Sequence, residues 1–150
     1  MSDVRVIAPA KLTLTLHVTG VRDDGYHLID AEMVTLYLAD TLTIDPAGHG
    51  LSADGPFAAG MPLDERNLVA KALRLVGRDA AVHLHKAIPH GGGLGGGSAD
   101  AAAILRWAGH TGTTHELAAA ARLERHTLLA YSRPDLWLVT APWLREAEAP

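Results

Sequence analysis

Hydrophobic and polar residues alternate strictly over residues 10–18, with Leu12, Leu14, Leu16 and Val18 on one side and Lys11, Thr13, Thr15 and His17 on the other. A period of two predicts a strand with one buried face. The segment Arg22-Asp23-Asp24-Gly25 contains a D-G turn signal, so the chain is expected to reverse there into a second extended stretch over about 27–38. A third alternating stretch covers 41–45, which makes the opening third an antiparallel meander. Residues 46–62, rich in Gly, Pro and Ala, read as a loop.

The period then changes. Leu68, Ala72, Leu75 and Val76 recur at helical intervals behind the acidic pair Asp64-Glu65, predicting a helix over about 65–76. A short strand over 81–87 runs directly into a glycine-rich stretch, and the alanine-rich residues 99–108 predict a second helix. Thr113-x-x-Glu116 has the form of a capping box and predicts a third helix, to about residue 123. Residues 127–140 alternate loosely around Pro134, as one or two strands would. No internal repeat or domain boundary is visible.

Composition narrows the classes. The chain has 150 residues, 48% of them hydrophobic, which suits one domain with a sizeable core. Its formal charge is -4, with no run of lysines or arginines, so the basic footprint of a nucleic-acid binder is missing. There is no cysteine, hence no disulfide framework or thiolate site. No apolar run approaches the roughly 20 residues that span a bilayer, and the first residues lack a signal-peptide core, so a soluble, cytoplasmic protein without a membrane partner is expected. Of the nine histidines, His83 and His85 share one side of a strand; a metal pair and a solvated face both fit them, and the solvated face is adopted.

The sharpest feature is Pro89-His90-Gly91-Gly92-Gly93-Leu94-Gly95-Gly96-Gly97-Ser98-Ala99. A flexible linker would have polar, structureless flanks. This segment instead joins a predicted strand to a predicted helix. Glycines let the backbone approach an anion closely and adopt positive φ, while a helix N-terminus offers unpaired N–H groups and a partial positive charge. Phosphate binding is the reading that follows. With no lysine after the last glycine, the segment is not a P-loop of the G-x-x-x-x-G-K-[ST] type.

Residues 89–101 resemble the signature P-x-G-x-G-L-G-[GS]-[GS]-S-[SA]-[DN]-A of the GHMP kinases, named for galactokinase, homoserine, mevalonate and phosphomevalonate kinases. The resemblance implies that 89–99 wrap the phosphates of ATP and that Ser98 lies close to a Mg²⁺ ion bridging them. Two further segments resemble one branch of the family, the diphosphocytidyl-methylerythritol kinases of non-mevalonate isoprenoid synthesis. Ala8-Pro9-Ala10-Lys11-Leu12-Thr13-Leu14 is similar to their P-A-K-[LI]-N-L, with Thr13 in place of the usual asparagine at a substrate-binding position. Gly20-x-Arg22-x-Asp24-Gly25-Tyr26-His27 is similar to their G-x-R-x-D-G-Y-H. By that resemblance Tyr26 stacks on the substrate's cytosine, His27 hydrogen-bonds its polar edge, and Lys11 lies beside the attacking hydroxyl and the transferred phosphoryl group. Asn67 and Lys86 match weaker positions that the family places near the adenosine.

The implied fold is α+β: a GHMP kinase N-terminal domain (ribosomal protein S5 domain 2-like). It has a mixed, mainly antiparallel sheet with helices on one side and a left-handed βαβ unit. The implied activity is ATP-dependent phosphorylation of the 2-hydroxyl of diphosphocytidyl-methylerythritol, a cytidine diphosphate derivative. The pattern departs from the family at one point. Where members carry G-A-D-[VI]-P, whose aspartate is the proposed base, this chain reads Ala121-Arg122-Leu123-Glu124-Arg125-His126-Thr127, with His126 in the aspartate's register. The expectation is therefore a nucleotide-binding domain over 1–150 with the usual C-terminal domain absent. Such a chain is expected to turn over poorly, or to bind nucleotide without turnover.

Overall fold

The computed structural model of the chain describes residues 2–21, 23 and 27–110, with 27–32 described through their backbone. The expected Arg22–Gly25 turn, the helix at 113–123, the strands at 127–140 and His126 lie outside the described residues. Alternation produces strands where it was expected, though fewer and longer. β1 spans Val4–Val21, and β2 runs without a break over His27–Asp45, joining the two stretches that the sequence separates at Ala39-Asp40. They pair antiparallel with register shifts at Pro9/Lys11, Thr13/Thr15 and Val18/Gly20.

Residues 46–62 are not all loop. β3, Gly50–Asp54, lies within them, turning Leu51 and Ala53 towards the core and exposing Ser52 and Asp54. The strand is short and sits among turn residues, which hid its period. α1 covers Leu68–Leu75, starting later than predicted because Asn67, with extended backbone, caps it, while Asp64 closes a separate turn on Arg66. β4 is Ala81–His85, and α2 is Gly96–Trp107, which begins inside the glycines rather than after them. The sheet order is β1-β2-β4-β3, with β3 and β4 parallel and the other pairs antiparallel.

Both helices lie on one face of this sheet. Ala8, Leu42, Ile44, Val82 and Leu84 from the strands share a core with Val69, Ala72 and Leu73 of α1 and Ala101, Ile104 and Leu105 of α2. The opposite face is polar around His83 and His85. His83 Nδ1 meets Ser52 Oγ at 2.9 Å, and His85 Nδ1 lies 2.6 Å from Asp54 Oδ1. Among the described residues, no group of three or more His, Cys, Asp or Glu side chains is placed to hold a metal, and no helix is long and apolar enough to cross a membrane.

One expectation is overturned. Leu12, Leu14, Leu16 and Val18 do not face a core: they are 43–57% exposed, whereas Lys11, expected on the solvated side, is 7% exposed. The cause is the irregularity at residue 10. Pro9 pairs with Ala39 but Lys11 with Thr35, so the alternation loses phase, Ala8, Ala10 and Lys11 all turn inwards, and Tyr37 is extruded into solvent. Beyond that point the side chains of β1, residues 12–21, are exposed or half-buried, while Met33 of β2 stays buried.

Two leucines of equal hydropathy should therefore respond differently. Leu84→Ala, at a site with no exposure, is expected to cost about 2–5 kcal/mol by denaturant unfolding, and Leu14→Ala less than about 1 kcal/mol. Equal losses would restore the buried face that the alternation suggested.

Candidate functional site

A cleft of about 330 Å³ opens where β4 leads into α2, lined by Leu68, Lys86, Ile88 and residues 89–98. That volume is at the lower end for small-molecule sites. Six glycines line the cleft, and at four of them a side chain would meet strain or a close contact. Gly91, Gly93 and Gly95 hold φ near 70°, a region that costs L side chains strain. A Cβ on Gly96 would stand 3.0 Å from Ile88 Cγ2.

Gly95, in the left-handed conformation, is the N-cap of α2 and no side chain caps the helix. The first helical bond runs from Ala99 N to Gly95 O at 2.9 Å, so Ala99, included in the sequence-based cradle, spends its amide inside the helix. The amides of Gly96, Gly97 and Ser98 precede that bond at the positive end of the helix dipole, an arrangement that receives an anion. Ser98 lines the cleft although it is 4% exposed.

Lys11 of β1 packs against the glycine loop, although it is not among the residues that line the cleft. Its backbone N donates to Leu94 O at 3.0 Å, and its stem lies against Gly95, with Cε 3.2 Å from where a Cβ would stand. Its ammonium donates to Thr13 Oγ1 at 3.1 Å. Burial pulls the Lys11 pKa below its ordinary value, and no carboxylate among the described residues forms an ion pair with it. Such an ammonium has charge to offer a ligand.

Asn67 and Lys86 are both buried and hydrogen-bonded within the domain. Asn67 Oδ1 accepts from Val69 N at 2.9 Å and its Nδ2 donates to Pro62 O at 2.8 Å, so the amide is occupied as the α1 cap and presents Leu68 to the cleft. Lys86 is 1% exposed, and its ammonium donates to Asp40 and, at 2.6 Å, to Asp100 Oδ2. Only the remainder of Lys86 can line the cleft. Tyr26 and the side chain of His27 lie outside the described residues.

Asp40 and Asp100 escaped the sequence reading. Asp40 keeps the even-numbered, inward parity of Leu42 and Ile44, although the sequence pattern places it between two separate stretches. Its Oδ1 accepts from Ala87 N at 2.7 Å and Ile88 N at 2.9 Å. Asp100 Oδ1 has no hydrogen-bond partner among the described residues. Burial would lower the Lys86 pKa, but Asp100 and Asp40 outweigh it and hold it above its ordinary value. Burial pushes the Asp100 carboxyl up to about 7, with Lys86 opposing the rise and Asp40 adding to it.

Comparison with known proteins agrees with this architecture. Residues 67–132 match the family model described as the GHMP kinases N terminal domain. The chain carries that domain, an α+β fold with a mixed, mainly antiparallel sheet. More narrowly, it is 56% identical over 102 residues to 4-diphosphocytidyl-2-C-methyl-D-erythritol kinase of Paracoccus denitrificans, covering 68% of this chain and 37% of that protein. The same-named protein of Dinoroseobacter shibae is 52% identical over 101 residues, with 66% and 35% covered. The chain thus spans little more than a third of the length of these relatives. A crystal structure of 4-(cytidine 5'-diphospho)-2C-methyl-D-erythritol kinase is similar at 32% identity with TM-score 0.51, over 96% of this chain and 49% of that one. A homoserine kinase from Cytophaga hutchinsonii, 18% identical with TM-score 0.51 over 91% and 44% of the two chains, shares the fold.

The Asp100 carboxyl gives the fold a pH signature. Between the unfolded carboxylate value of about 4 and the folded value of about 7, the folded chain holds a proton that the unfolded chain has released. Stability therefore falls as pH rises through that window, by at most about 1.4 kcal/mol per pH unit for one proton. Subtracting the unfolding free energies of Asp100→Asn from those of the parent between pH 4.5 and 7 is expected to leave this falling slope. A flat difference would mean that Asp100 ionises normally.

Proposed function

We propose that this chain binds ATP with Mg²⁺ in the glycine-lined cleft and serves phosphoryl transfer to the 2-hydroxyl of diphosphocytidyl-methylerythritol, in the cytoplasm. The observation that carries the reading is an uncapped helix N-terminus, entered through three left-handed glycines, with a buried lysine alongside that no carboxylate among the described residues pairs with. Similarity to proteins named as kinases of this substrate supports the choice of acceptor.

When bound, ATP supplies the phosphoryl group and Mg²⁺ neutralises the charge that its oxygens develop. The chain's own contributions are positioning and electrostatics. The backbone amides of Gly96, Gly97 and Ser98 hold the phosphates, and the Ser98 hydroxyl serves the metal. The Lys11 ammonium, without an ion pair among the described residues and partly stripped of water, stabilises charge on the transferred group, with Thr13 fixing its direction. Tyr26 offers an aromatic face for the cytosine, and His27 a donor and acceptor for its polar edge.

A second reading, nucleotide binding without turnover, is favoured by the loss of G-A-D-[VI]-P, since no residue here is assigned to take the proton from the acceptor hydroxyl. Calorimetric titration with MgATP and an ADP-release assay with the acceptor separate the two. For the kinase, turnover is expected to fall by about 10²-fold or more in Lys11→Ala while MgATP still binds, and cytidine diphosphate is expected to inhibit. Binding without turnover supports the second reading, and absence of MgATP binding removes both.

A further inference from the structure

The glycine loop has little of its own to hold it in shape. Six of the residues 91–97 are glycine, the residue with the widest backbone freedom. Among the described residues, one backbone hydrogen bond, Lys11 N to Leu94 O, ties 90–94 to the rest of the domain. Amides that are to converge on an anion cannot be aimed by a chain this free, so their direction has to be set where the loop begins and ends.

Both ends meet at one buried carboxylate. At the entry, Asp40 Oδ1 accepts the amides of Ala87 and Ile88, the two residues before Pro89. Asp40 Oδ2 receives the Lys86 ammonium, which also donates to Asp100 Oδ2 inside α2, at the exit. The same Oδ2 lies 3.3 Å from where a Cβ on Gly96 would stand, so the first residue of α2 packs directly on it. As a filler of core space this would be a poor choice. Two aspartates and one lysine, at most 2% exposed, carry a desolvation cost, and apolar residues of similar volume commonly do as well or better. What apolar residues cannot do is accept two backbone amides and orient a third element through a shared ammonium.

We infer that Asp40 is a positioning residue that fixes the separation of the loop's two ends and thereby aims the amides of Gly96, Gly97 and Ser98 into the cleft. Its consequence for ligand binding rests on the nucleotide reading above; its consequence for loop geometry does not. Asp40 touches no ligand in this account and acts through Ala87, Ile88, Lys86 and Gly96.

The test is Asp40→Asn, which keeps size and an oxygen for the amides but removes the charge that draws Lys86. Amide hydrogen exchange without nucleotide is expected to accelerate at the hydrogen-bonded amides that flank the loop, Ala87, Ile88 and Ala99, at least tenfold more than over 72–75 in α1. The MgADP dissociation constant, measured well below the unfolding temperature, is expected to rise tenfold or more. A merely structural role would lower the unfolding temperature and leave both quantities unchanged in the folded variant, and that result overturns the inference. If Asp40→Asn does not fold, exchange in the parent decides: Ala87 and Ile88 amides are expected to be far slower than that of Gly92, and equal rates overturn the inference. Should the parent fail to bind MgADP while the amides flanking the loop still loosen in Asp40→Asn, the nucleotide reading falls and the positioning role stands.

Discussion

A helix that begins in glycine leaves its first N–H groups without partners, and the architecture of this domain is arranged around that deficit. α2 is buried along nearly its whole length from Ser98 to Leu105, so its N-terminus cannot be rotated towards a convenient acceptor. No side chain caps it. In most helices Ser, Thr, Asp or Asn would close this end. Here the cap position is held by Gly95, and the free amides open into a cleft. An anion is the partner that such an end favours.

Holding that end in place demands polar groups inside the domain. Asp40 reaches from β2, Lys86 follows β4, and Asp100 belongs to α2, so three elements that share apolar packing also share one set of charges. Apolar contacts fix how far the helix stands from the sheet, but they slide easily along it; directional bonds to Ala87, Ile88 and Lys86 remove that freedom. Lys11 completes the enclosure from the other side by bonding the one non-glycine residue within 91–97 through its carbonyl. A lysine buried without a carboxylate is costly. Under the proposed function that cost is offset when a phosphate meets it.

The glycine segment was legible from sequence because its meaning is local: strand, glycines and helix follow one another within twenty residues or so, and each carries its own short-range signal. The antiparallel β1/β2 pair and both described helices were legible for the same reason, whereas the meander expected within β2 and the β2/β4 pairing were not. Lys11 was legible only through resemblance, since alternation alone assigned it to a solvated face, and the irregularity opposite residues 36–38 that turns it inwards leaves no mark in periodicity. Asp40 and Asp100 depend on contacts 46 and 14 residues away along the chain. Local pattern cannot anticipate such pairings, although an aspartate at an inward parity between Leu38 and Leu42 announces that some buried partner must exist. β3 was missed because five residues among glycines and prolines are too few to establish a period.

The central claim is that a nucleotide's phosphates are received by the amides at the start of α2. Backbone amide chemical shifts recorded while MgADP is added to the chain test it most directly. The largest changes are expected at Gly95, Gly96, Gly97 and Ser98, with smaller ones at Lys11 and Leu94. Changes centred on another part of the surface, or none at millimolar MgADP, would contradict the account.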